Sequence, residues 1–363
     1  MAKWQALQRS LIAISLGTLL CTSSVLAAPL TIGGELSTAI ELATADPNAI
    51  SGSTSIKLNF DQAAGPAAIH GSVVGVDERG LTLDEAYLDY FGSNYDLRVG
   101  QQRIVWGTAL EVNPTDMINP INITDPPGDK LPVMAVNSTY YLNDWLQVTG
   151  VYLPHFKPAL EAIPNQPKIE VVRPESTLEN SEYAVKLKAV GVQGADFSVS
   201  YFSGWEDTPT LLSPGQAGYR NQQMIGADLA TAVGDVGLWA EAALTQVSGV
   251  DKNRLSWIVG GDYRWSNGLY LAAQYAQMEE MAGKTDLIVG ALEQTFAGIH
   301  SWKIGALYNV DTQAYALMPE LTISLADSTN LILGAKLLEN SDQSLQFLGP
   351  TPSQLIAKLE MSF

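Results

Sequence analysis

The sequence predicts an all-β chain: a transmembrane, antiparallel, up-and-down β-barrel of about 18 strands, with 14 to 18 as the range. Three observations predict it. Period-two alternation of apolar and polar residues runs through the chain, and no stretch makes a convincing amphipathic helix of useful length. The connections alternate between short turns and long loops, as they must if one side of a barrel carries turns and the other loops. The last residues, LIAKLEMSF, hold the alternation to the end, with Leu359, Met361 and Phe363 on one face and Lys358, Glu360 and Ser362 on the other.

Residues 1–27 read as a secretory signal peptide: Lys3 and Arg9 supply the positive charge, LIAISLGTLL the short apolar run, and Val25-Leu26-Ala27 the small-residue cleavage site. Residues 28–363 then form one barrel domain. Leu20 stands before Cys21 where a lipoprotein signal wants a small residue, and cleavage after Ala27 leaves an exported chain with no cysteine and no disulfide framework. The chain is 46% hydrophobic, too apolar for a disordered polyanion. Its formal net charge of −18 becomes −20 once Lys3 and Arg9 leave, and this acidity argues against nucleic acid as a partner.

The strands follow in order. Residues 30–42, 53–61, 66–76, 81–91 and 94–104 open the series, with the tight turn SNY between the last two. Strands 134–142 and 144–153 meet at LND, 180–191 and 194–204 at GVQGAD, and 221–233 and 235–248 at VGD. Strands 253–265 and 268–279 meet at WSNG, 284–296 and 299–311 at AGIH, and 313–325 and 328–339 at ADSTN; 353–363 closes against the first strand. All those turns fall on one side. The long connections near 105–133, 154–179, 205–220 and 340–352 fall on the other. Tyr90, Phe91, Tyr95, Tyr141, Trp145, Trp265, Tyr270, Phe296, Trp302 and Phe363 gather at the short-turn ends, as an interfacial girdle requires.

Turning each strand's apolar set to lipid sends its charges inward, in nearly balanced numbers. The expected pore-lining or constriction residues are Glu85, Tyr87, Asp89, Arg98 and Gln102 on one hairpin, with Lys186, Lys188, Asp262 and Arg264 elsewhere on the wall. Cross-strand ion pairs that keep the wall polar and a substrate-specific track are both open readings of these charges. Most of the excess acid is expected in the outer loops.

The stretch LTLDEAYLDYFGSNYDLRVGQQRIVWG, followed by NPTDMINPINITDPP, resembles the signature hairpin of Gram-negative porin-like barrels of the alginate-export type and their uncharacterised relatives: an acidic-Ala-Tyr strand, a tight turn, then RVG-Q. Alginate exporters imply a lumen rich in arginine and lysine, whereas this chain has 20 Lys and Arg against 38 Asp and Glu. The C-terminal Leu359, Met361 and Phe363 resemble the signal that outer-membrane proteins present to the barrel-insertion machinery, which that resemblance implies as a partner. The segment from Trp106 to Pro132 carries Pro114, Pro120, Pro126, Pro127 and Pro132 and suits folding into the barrel mouth, as constricting porin loops do. Within it, Asp116, Asn119, Asn122 and Asp125 are oxygen donors at a spacing that fits no known cation loop and suits turn capping.

His70, His155 and His300 stand beside no serine in a nucleophile motif, and no phosphate-binding loop or cysteine metal site occurs, so no enzyme, metal or cofactor is expected. The reading is a bacterial outer-membrane channel, embedded in lipid, for passive diffusion or export of small hydrophilic or oligomeric solutes. The alternative is a structural or surface-interaction barrel with an occluded lumen and acidic, cation-binding outer loops, which inward bulk at Phe202, Trp239 and Tyr270 would favour.

Overall fold

The computed structural model describes residues 28–44, 49–77, 80–110, 112–122, 130–159, 169–280, 283–339 and 353–363. The expected signal peptide and Asp125 lie outside the described residues. The strands are β1 (Thr31–Ala43), β2 (Ile50–Ala64), β3 (Ala67–Val76), β4 (Gly80–Phe91), β5 (Tyr95–Gln102), β6 (Val133–Asn143), β7 (Leu146–Leu153), β8 (Glu170–Val172), β9 (Glu182–Val192), β10 (Ala195–Trp205) and β11 (Thr210–Ser213). They continue as β12 (Gln216–Gly218), β13 (Asn221–Val233), β14 (Val236–Val247), β15 (Arg254–Arg264), β16 (Tyr270–Glu280), β17 (Gly283–Phe296), β18 (His300–Asn309), β19 (Tyr315–Ala326), β20 (Thr329–Glu339) and β21 (Gln354–Ser362).

Eighteen of these form one antiparallel sheet, and each of the 18 segments read from the sequence matches one of them, its ends displaced by three residues at most. The short β8, β11 and β12 make a separate three-stranded sheet from the two long connections before β9 and β13. Every barrel strand pairs with its neighbours in the chain, and β21 pairs back onto β1 from Glu35↔Ser362 to Ala43↔Gln354. The sheet therefore closes and leaves no edge.

The pairing register fixes two unlike faces. Ile225, Val199 and Val259 lie on the outer face and are 62%, 53% and 51% exposed, whereas Asp228, Glu241 and Gln274 on the inner face are 6%, 3% and 3% exposed. This inverts the pattern of a water-soluble domain, in which carboxylates face out. Aromatics ring the outer face at two levels. Near the turns stand Tyr90, Tyr95, Trp145, Trp265, Phe296 and Phe363, and toward the long connections the pairs Tyr183–Tyr201 and Trp257–Tyr275, with centroids 6.0 and 5.4 Å apart. Trp257 on β15 and Trp265 just past its end are separated by roughly 26 Å along the chain direction, or about 20 Å in height at the usual tilt, close to the apolar band of an outer-membrane barrel. Phe91 departs from the expected girdle, paired with inner-face Asp96 and at the parity of Asp89, and so do Tyr141 and Tyr270. The register of the two tyrosines places them on the inner face, where their hydroxyls donate to Asp96 and Asp262 at 2.5 and 2.8 Å.

The seam depends on one glycine. Gly34 and Phe363 exchange backbone bonds, N–H to O at 2.9 and 3.0 Å, and the Phe363 ring lies over Gly34, where a Cβ would come within 2.7 Å of it. Gly33 beside it leaves more room: a Cβ there would meet only the Phe363 carbonyl oxygen, at 3.3 Å.

Candidate functional site

The signature hairpin builds the root of an inward loop. Opposite Ser72 on β3, strand β4 carries one extra residue, so the pairing passes from Gly71↔Ala86 to Val73↔Leu83. A bulge of this kind aims two successive side chains to one side. Asp84 and Glu85 both point inward and clasp Arg103: its Nη2 meets the Asp84 carboxylate at 2.5 Å, its Nη1 lies 3.6 Å from Glu85, and its backbone N–H donates to Glu85 Oε1 at 2.7 Å. Lys57 adds a second cation to Asp84 at 3.3 Å. Bulging frees carbonyls on the outer face, and Gln101 supplies their donor, reaching Leu83 O and Asp84 O at 3.0 and 2.7 Å. Gly100, at φ +138°, brings β5 so close that a Cβ would meet Ala86 O at 2.2 Å, which explains the Gly-Gln of the motif.

From Arg103 the chain turns into the barrel and follows its wall. Ile104, Trp106 and Ile118 bury against inner-face Val133, Val151, Leu153, Phe202 and Met224, and farther round Ala109 and Val112 cover Ile258, Leu287, Val289 and Leu307. The anchor on the far wall is polar. Glu241 on β14 accepts from the Thr108 and Ala109 N–H groups, the latter at 2.7 Å, and from the Thr115 hydroxyl at 2.8 Å. Gln274 on β16 accepts the Leu110 N–H at 2.9 Å and donates to Leu110 O at 2.6 Å, while the Trp239 indole N–H holds its Oε1 at 3.1 Å. Gly107, at φ +89°, admits no Cβ beside Asn113 and Glu241. At the neck, Asn119 accepts from Ile104 N–H at 2.7 Å and donates to Leu131 O at 2.7 Å. Lys130 pairs with Asp116 at 3.2 Å, and burial pushes the Asp116 carboxyl up against that pull.

Most of the expected wall residues are locked in pairs. Arg98 makes a two-point contact to Asp89 at 2.7 and 2.9 Å and lies 3.9 Å over the Tyr87 ring, whose stacked neighbour is His70 at 4.9 Å. Lys186 pairs with Asp228 at 3.4 Å, Lys188 with Asp196 at 3.3 Å, and Arg264 with Glu293 at 3.2 Å. Gln102 shares the inner face but is fully buried beneath the loop, where its amide donates to Ala135 O at 3.1 Å; it lines no open surface. Strict alternation missed Asp84, because the bulge breaks the parity, and passed over Asp96, Asp196 and Glu293. Of the apolar inner belt under the loop it placed Phe202 and Trp239 inward but missed Val133, Val151, Leu153, Met224 and Ile258, since an apolar residue at an inner position leaves little signal in a single sequence. Among the described residues no group of three or more His, Cys, Asp or Glu could hold a metal ion.

Strand count, closure and inverted faces invite comparison with solved barrels. OccK11 (OpdR) of Pseudomonas aeruginosa matches over 92% of this chain and 95% of its own, at 10% identity and a TM-score of 0.56. The barrel is porin-like. Salmonella typhi OmpF, solved with daunomycin, matches over 92% of the porin-like chain and 97% of its own, at 14% identity and a TM-score of 0.49. A mutant of the Rh. blastica porin matches at 12% identity and a TM-score of 0.49, over 92% and 100%. The family described as "Protein of unknown function (DUF1302)" matches residues 43–164, which hold the bulged hairpin, the described parts of the inward loop and β6–β7. No curated protein matches the chain.

Proposed function

We propose that this chain is an outer-membrane channel through which small hydrophilic solutes diffuse passively, narrowed by the loop that begins at Arg103. The observation that carries the reading is the loop's attachment: it is rooted at Asp84 and Glu85 and tethered to Glu241 and Gln274, so it narrows the lumen along one wall. The buried cluster beneath it does not reach β21, β1 or β2, whose inner face carries Glu35, Glu41, Lys57, Lys358 and Glu360, all part-exposed. Barrels of 16 to 18 strands are wide enough for an aqueous channel beside such a loop. Selectivity would come from width and wall charge, with no cofactor. Lipid outside and the barrel-insertion machinery, addressed by Leu359, Met361 and Phe363, are the partners this reading requires.

Planar-bilayer recording of the purified protein tests it. Wild type should conduct in discrete steps. Glu241→Ala, which strips the far tether of its acceptor at a cost of about 1 to 3 kcal/mol to the loop's attachment, should raise unit conductance and add flicker. A silent wild type whose Glu241→Ala variant is also silent would put the occluded, structural barrel in its place.

A further inference from the structure

Beyond the constriction, the wall near the turns forms a second charged level, nearest the inner mouth. Four cations there are cancelled within the wall: Arg98 by Asp89, Lys188 by Asp196, Arg264 by Glu293 and Lys358 by Glu360. Among the described residues of this level, those left without a charged partner are Glu35, Asp96, Asp262 and Glu320 against Lys303. Asp61 pairs with His70, Nδ1 to Oδ1 at 2.7 Å. Two of the others are held by neutral donors where a cation could have stood: the Tyr141 hydroxyl on Asp96 and the Tyr270 hydroxyl on Asp262. A hydroxyl orients a carboxylate by donating to it and brings no charge of its own to cancel it.

Resting on the channel reading above, we infer that this inner mouth is a cation filter: permeating solutes of positive charge are favoured and anions are held back. The charges at the loop do not oppose this: Lys57 and Arg103 are matched by Asp84 and Glu85, Lys186 by Asp228 and Lys130 by Asp116, and Lys157, which donates to Pro132 O, stands against Glu241, which accepts from neutral donors. Uncompensated carboxylates ringing a water-filled passage raise the local cation concentration, over a range set by a Debye length of about 8 Å at physiological ionic strength. The substrate class implied is small organic or inorganic cations, the reverse of a polyanion track.

Reversal potentials in a KCl gradient test the filter, with liposome swelling in lysine and glutamate salts as a second readout. Wild type should favour K⁺ over Cl⁻. The double variant Asp96→Asn with Asp262→Asn keeps both tyrosine partners in place and should lower the K⁺/Cl⁻ permeability ratio roughly two- to fivefold. Lys303→Gln should raise it, and both shifts should shrink at high salt. Conductance with anion preference, or with a ratio that neither substitution moves, overturns the filter and leaves the channel standing. Absence of any flux in both assays overturns the channel and the filter with it.

Discussion

Gly34 has no side chain, and the barrel closes through that gap. A Cβ there would come within 2.5 Å of Lys57 O and 2.7 Å of the Phe363 ring, so the last residue could not lie flat across the first strand. Gly34→Val should therefore lower the folded fraction, with strain of about 1 to 3 kcal/mol, read as loss of the fast-migrating folded band on unheated SDS gels. Gly33→Ala is the control and should be nearly silent, since only the Phe363 carbonyl stands within 3.3 Å of its Cβ. Equal loss from both would mean that the ring's position over Gly34 is irrelevant to closure. Phe363 itself was legible as the outward end of an alternating strand. Its glycine partner was not, because a glycine in a strand announces close approach without naming what approaches.

At the scale of elements, the hairpin β4–β5 and the loop that follows act as one unit. The extra residue opposite Ser72 turns two acids inward, and those acids set the direction in which Arg103 leads the chain. The strands were readable because lipid-facing walls demand an apolar residue at every second position. The path of the loop was readable only in part: its prolines announced restriction, while Glu241 and Gln274, more than a hundred residues away in sequence, gave no local sign of holding it. The small sheet of β8, β11 and β12 was invisible because strands of three or four residues carry no period. Beside that sheet, burial pushes the Asp207 carboxyl from its ordinary 3.8 up to about 7, against the pull of Lys130 and with help from Glu206. Its contribution to docking of this connection is full below the ordinary carboxylate range and is lost as pH rises through about 7. The Ala159 N–H, bonded to Asp207 O at 2.9 Å, reports on that docking. Its exchange protection, corrected for the intrinsic rate, should fall between pH 5 and pH 8 in the wild type and stay flat in Asp207→Asn.

For the whole molecule, strand number and connection parity followed from alternation alone, because a closed barrel with one side of turns permits few alternatives. The balance of charge in the lumen did not follow, since ion pairing across strands decides which charges survive and pairing depends on register. The loop's one-sided path has a mechanical consequence. Pulled from Phe363 by a single-molecule tip, the barrel should unzip in small steps through β21, β20, β19 and β18, whose mutual bonds run one hairpin at a time. On reaching β16 the pull meets Gln274, and through Leu110 it loads a segment clamped at Arg103 eight strands away in the sheet order. The force trace should show its tallest peak there and release the loop in one long extension, whereas Gln274→Ala should flatten that peak and leave the earlier steps unchanged. The loop is then a spoke as well as a constriction, and the wall it braces is the stiff half of an otherwise compliant ring.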